Sequence, residues 1–270
     1  VISSKLLAAL AAGFLFAGCA TTAPASAPAQ TAPASVPAAS ASAPATSAAA
    51  PAGNDIDAFM SKVVEAQKGV KTYTIDMTMQ TVMMGKAQKI VMKGVIDQTD
   101  RSNINMEMKM DLGELGEMTS LKIKGDMYIK MAALGGHWMK VPKSQMDQYE
   151  STTDSADITA GMEKAKSAMK SITLVGDEAV DGVPSHHYRI TVDAKGLSKI
   201  SGSSDTIADS DFDYDVWIDD ASLLRKVAMD VKAKADGEDV PMKMNGVMGH
   251  YNEPVSIKAP DPKDVVEMGK

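Results

Sequence analysis

Apolar residues recur along this chain with two different periods. Ile56, Phe59, Met60, Val63 and Val64 fall at i, i+3, i+4, i+7 and i+8, the stripe of a helix with one buried face. Asn54 or Asp55 stands where a cap belongs, and Gly69 stands near the expected end. From residue 73 the period shortens to two. Tyr73, Ile75, Met77 and Met79 alternate with Thr74, Asp76, Thr78 and Gln80, and Ile104, Met106, Met108 and Met110 alternate with Asn103, Asn105, Glu107, Lys109 and Asp111. Strict alternation is the mark of an antiparallel strand with one wet face. Weaker runs predict strands at 88–97, 118–125, 126–132 and 137–141, separated by turns such as Gly125-Asp126 and Gly135-Gly136. Helical spacing returns around 143–150 and 157–170, the latter through Ile158, Met162, Ala165 and Met169. Strands then resume at 172–180, 186–193, 212–219, 223–234 and 242–251, and Asp181-Gly182 is a hairpin turn between two of them.

About ten strands with an apolar face, and three helices to cover it, predict an α+β fold built on a strongly curved antiparallel sheet closing around something. No composition break interrupts 54–270, so this stretch is expected to be one domain.

The segment before it has another character. Lys5 precedes an eleven-residue apolar run at 6–16, followed by Ala17, Gly18 and Cys19. That run is too short to span about 30 Å of hydrocarbon, and its flanks are those of a cleaved secretory signal. The lone Cys directly after small residues resembles the lipobox of bacterial lipoproteins, with Phe16 where that pattern usually has Leu. The resemblance implies cleavage after residue 18, diacylglyceryl modification of Cys19 and attachment to the cell membrane on its extracytoplasmic face, since two or three acyl chains anchor stably where one does not. Residues 20–53 are uncharged, rich in Ala, Pro, Ser and Thr, and hold six of the 12 prolines. Such a stretch cannot bury enough apolar surface to offset its ordering entropy and is expected to be a spacer.

Composition narrows the chemistry. A net charge of -7 with no basic run argues against nucleic acid as a partner, and one Cys excludes internal disulfides and cysteine zinc sites. Nucleotide-binding, zinc-protease and serine-hydrolase motifs are missing, so no enzyme and no cofactor are expected. The 21 methionines outnumber the 20 glycines. A deformable apolar wall would use them; a Met-based Cu(I) or sensing module without a cavity is the alternative. The acidic run Asp209, Asp211, Asp213, Asp215, Asp219, Asp220 mimics a calcium loop, but Tyr214 stands where the sharp turn requires Gly, and a strand with a carboxylate face fits better. His186 and His187, adjacent on a strand, point to opposite faces and cannot share a metal; no metal ligands are assigned.

Four segments carry a further resemblance: VVEAQKGVKTYTIDM at 63–77, DGVPSHHYRITVD at 181–193, YDVWIDDASLLRKV at 214–227 and HYNEPVSIKAPDP at 250–262. In order and spacing they resemble the LppX/LprA/LprF/LprG family of actinobacterial cell-envelope lipoproteins, whose architecture is similar to that of LolA and LolB. This resemblance implies a half-barrel with helices on its concave side enclosing an apolar cavity, and a monomer that carries lipid or glycolipid in the envelope, with a transporter as a candidate partner. The expected cavity lining is Met77, Met79, Ile104, Met106, Met108, Met110, Ile123, Ile129, Tyr188, Ile190, Val216 and Ile218. The methionine density is unusual for that family.

Overall fold

The computed structural model describes residues 55–83, 86–145, 166–194, 210–235 and 238–267. The signal segment, Cys19, the spacer and the expected helical positions 146–150 and 157–165 lie outside the described residues.

Helix α1 (Ile56–Lys68) forms where the stripe predicts it, and Asp55 is the cap, its carboxylate accepting from the Ala58 amide at 2.8 Å. At the other end the Arg101 guanidinium donates to the carbonyls of Gln67 and Lys68 at 3.0 and 3.2 Å. A cation there meets the negative end of the helix dipole. The buried stripe is Phe59, Met60, Val63 and Val64, joined by Gln67.

Twelve strands form one sheet: β1 (Thr72–Met83), β2 (Lys86–Asp97), β3 (Asn105–Asp111), β4 (Glu117–Ile123), β5 (Asp126–Met131), β6 (Trp138–Lys140), β7 (Met169–Val180), β8 (Val183–Val192), β9 (Phe212–Asp219), β10 (Leu224–Ala235), β11 (Glu238–Gly249) and β12 (Val265–Glu267). Their spatial order is β12-β6-β5-β4-β3-β2-β1-β11-β10-β9-β8-β7, curved and unclosed. Two meanders, β1 to β6 and β7 to β11, are joined by the β1–β11 ladder, and all neighbours are antiparallel except β12 beside β6.

Several expectations change. The strand count is twelve, because the three-residue β12 escapes periodicity. Met169, expected at a helix end, opens β7, and the 143–150 stretch begins as a single 3-10 turn at Lys143–Gln145. The β4–β5 turn falls one residue earlier, on Lys124-Gly125 with φ of 51° and 75°. That pair matches Asp181-Gly182, at 48° and 79°; two successive left-handed residues suit the right-handed twist of a hairpin.

Three register shifts bend the sheet, two between β7 and β8 and one between β9 and β10. Extra residues of this kind tighten local twist. Among the described ladders, β1 to β6 and β11 run without one.

Candidate ligand-binding face

Residues directly opposed in an antiparallel ladder project to the same side of the sheet. Met77 opposes Met92, Met92 opposes Met110, Met110 opposes Met118 and Met118 opposes Met131. One methionine from each of five neighbouring strands therefore lines up in a row about 19 Å long at the usual spacing of about 4.8 Å. Beside it runs a shorter row, Met79–Met244–Met229. Following the same parity adds Met106, Met108, Met127, Met139, Met169, Met242 and Met248, which brings the methionines on this inner face to fifteen among the described residues.

Two glycines show how these side chains lie. A Cβ on Gly94 would stand 2.2 Å from Met108 Sδ and 2.7 Å from Ile75 Cγ2, so the Met108 thioether fills the space above β2. On Gly246 a Cβ would stand 3.3 Å from the Met77 terminal methyl. In both places the missing side chain lets a methionine fold flat across the neighbouring strand, a close approach that interior strand glycines commonly mark.

The other half of the face is built differently. Ile172, Tyr188, Ile190, Tyr214, Val216 and Ile218 supply its surface, and α1 packs there, the Phe59 ring meeting Tyr188 edge-on at 4.8 Å. Burial pushes the Tyr214 phenol well above its ordinary pKa and, with the nearby Asp177 charge, raises that of Tyr188. Neither ionises in the physiological range.

The outer face is charged and paired. Lys93 meets Asp76 at 2.8 Å, Lys109 meets Glu107 at 2.9 Å and Lys243 meets Asp230 at 2.6 Å. Of the acidic run, Asp213, Asp215 and Asp219 lie on β9, where Tyr214, Val216 and Ile218 point inward, while Asp213 takes the Thr191 hydroxyl and Asp215 takes Arg189. Partial burial works against the Asp215 carboxylate, but the bonds to Arg189 and His187 outweigh it and hold its pKa below the ordinary value. Asp219 ends the strand and caps the turn, accepting from the Ala221 and Leu223 amides and from Arg225 Nε at 2.6 Å. The two histidines diverge as expected. His187 stacks on Trp217 at 4.2 Å on the outer face, while His186, opposite Ile218 at the inner rim, stands between Asp177 and Asp220.

Of the expected lining residues, Met77, Met106, Met108, Met110, Ile129, Tyr188, Ile190, Val216 and Ile218 are buried on the inner face. Met79 is half-buried on it, and Ile104 is buried just before β3, packed with Val70 and Tyr73. Ile123 is a correction. Its strand is set by β3, where Met110 opposes Met118 and Met108 opposes Ser120. Met118, Ser120 and Lys122 therefore point inward, and Leu121 and Ile123 point out. Met92, Met118, Met127, Met131, Met139, Met169, Met229, Met242, Met244 and Met248 were missing from the expected lining. Alternation around Ile90, Met92 and Ile96 and at 242/244 carried that signal; the mixed inner set of β4 concealed Met118.

An unclosed curved sheet with a largely apolar inner face and a charged outer face defines a class of half-barrel proteins. Within it, the chain belongs to the LppX_LprAFG lipoprotein family, which it matches over residues 55–257. Solved relatives agree on the fold. LprF from Mycobacterium bovis aligns with 77% of this chain and 99% of its own at 15% identity and a TM-score of 0.54. The lipoprotein LppX from Mycobacterium tuberculosis aligns with 75% and 98% at 12% identity and a TM-score of 0.51. A LolA superfamily protein from Nitrosomonas europaea covers 77% of the chain at 9% identity with a TM-score of 0.26, too low to bear on the architecture. A search of curated proteins finds no match.

Proposed function

We propose that this protein binds the acyl chains of lipids or glycolipids against the inner face of its sheet and hands them on within the cell envelope, without covalent chemistry. The observation that supports this most directly is the five-strand methionine row, an apolar track on the scale of a long acyl chain. Capture would be driven by removing hydrocarbon from water, at about 0.8 kcal/mol per buried CH₂. Membership of a lipoprotein family supports the anchoring half of the reading. Acylated Cys19 would hold the domain on the extracytoplasmic face of the cell membrane, and the uncharged spacer would let it reach the bilayer surface and an envelope transporter. Confinement of that kind raises the effective concentration of binding partners.

Two measurements test the proposal. Full-length Cys19→Ala protein, purified without detergent, should carry lipid detectable by native mass spectrometry and take up a fluorescent fatty acid; protein that is empty and takes up none overturns the lipid reading. In cells, Cys19→Ala should move the protein from the membrane fraction to the soluble extracytoplasmic fraction, and retention on the membrane would remove Cys19 as the anchor.

A further inference from the structure

The inner face has two mechanical halves. Between β7 and β9 it is mostly β-branched and aromatic side chains, Ile172, Tyr188, Ile190, Tyr214, Val216 and Ile218, with Met169 at the start of β7. Side chains branched at Cβ have stiff χ1 angles, and here α1 already packs on them through Phe59. Between β1 and β5 the same face is a row of thioethers, one per strand. Methionine has three side-chain torsions and a polarizable sulfur, so it refills irregular gaps at low cost. Gly94 and Gly246 leave Met108 and Met77 room to lie flat. The bulges sit in the stiff half and the unbroken ladders in the methionine half, so deformability resides in the side chains, on a regular backbone.

Building on the lipid reading above, we infer that the β1–β5 methionine row is the chain-binding wall, and that its ligand class is hydrocarbon chains of irregular cross-section, methyl-branched or cis-unsaturated, accepted alongside straight saturated ones. A rigid apolar pocket separates ligands that differ by one methyl by about tenfold or more. A wall that repacks erases that difference, as methionine-rich surfaces do when they accept many partners. Selection by this protein therefore lies away from chain shape.

The test is displacement of a fluorescent fatty acid from full-length Cys19→Ala protein by palmitic, oleic and phytanic acid. In the parent, the three affinities should agree within about threefold. In Met92→Leu/Met110→Leu/Met118→Leu, palmitate should bind nearly as before while oleate and phytanate weaken by about tenfold, since Leu keeps the volume but gives up the torsions. Ile123→Leu, on the outer face of β4, should leave the ratios unchanged. Parent protein that already separates the three by more than about tenfold overturns the inference whether or not any variant folds. So does a folded triple variant with unchanged ratios. Failure of the parent to bind all three acids removes the lipid reading itself, a different result from either.

Discussion

Replacing Gly94 by Ala tests the packing of the methionine face at its tightest point. The added Cβ would lie 2.2 Å from Met108 Sδ and 2.7 Å from Ile75 Cγ2. The thioether can swing aside, but the Ile75 methyl is held by its own backbone and branched Cβ, so β1 and β2 must separate slightly. Overfilling a packed core costs about 1–3 kcal/mol. Against this, Ala loses less backbone freedom on folding than Gly, worth about 0.4–1 kcal/mol where the backbone tolerates it, and Gly94 is outside the left-handed region. The net expectation is a loss of about 1–2 kcal/mol and a fall in Tm of about 5 °C, measured by circular dichroism or calorimetry. Gly246→Ala is the internal control. Its only close neighbours are atoms of the flexible Met77 side chain, the nearest at 3.3 Å, so the entropic gain prevails and Tm should hold or rise. Adding Met108→Ala to Gly94→Ala should cost less than the two changes summed, by about 1 kcal/mol, as expected for residues in direct contact. The reasoning is refuted if Gly94→Ala melts at or above the parent temperature, or if Gly246→Ala falls as far.

Other outcomes follow from the charged positions. Asp219→Ala strips a carboxylate that is 5% exposed from Arg225 and from two turn amides; breaking a buried pair this way should cost about 3–5 kcal/mol, seen as a lower urea midpoint with an unchanged slope. The native pKa of Asp215 is depressed, so the stability it contributes is complete above the ordinary carboxylate pKa and is lost as pH falls through the native value. The stability gap between parent and Asp215→Asn should be constant near neutrality and close below about pH 4; a gap that widens on acidification contradicts the assignment.

Much of this architecture was legible because alternation survives wherever one strand face is apolar and the other charged. That held for β1 and β3, whose alternating apolar residues fall on one face of the sheet. It failed at β4, where the inner set is Met118, Ser120 and Lys122 and the outer set includes Leu121 and Ile123. There the hydrophobic pattern points the wrong way, and pairing with β3 decides the face. A one-residue change of register exchanges the two faces of a strand, so Ile123 was misplaced, while Ile129 on the adjacent strand β5 was not. The cross-strand alignment of Met77, Met92, Met110, Met118 and Met131 was beyond reach from spacing alone, since it depends on how four separate ladders register. β12 was invisible for a simpler reason: three residues carry no period.

The β1–β11 ladder has a consequence for how the chain comes into being. It ties Thr74 to Gly249 across 175 positions, whereas the other antiparallel ladders join strands that follow one another along the chain. Each meander can assemble from local hairpins, but the seam between them must await the arrival of β11. Until then β1 is a bare edge with alternating methionines, the kind of strand that recruits copies of itself, and distant pairings of this sort form slowly. A chain ended before Glu238 should keep its hairpins and still be recovered as aggregate, and a soluble monomeric product would show that the seam is dispensable. The late strand β11 thus serves as the latch that ends a newborn protein's exposure to its own kind.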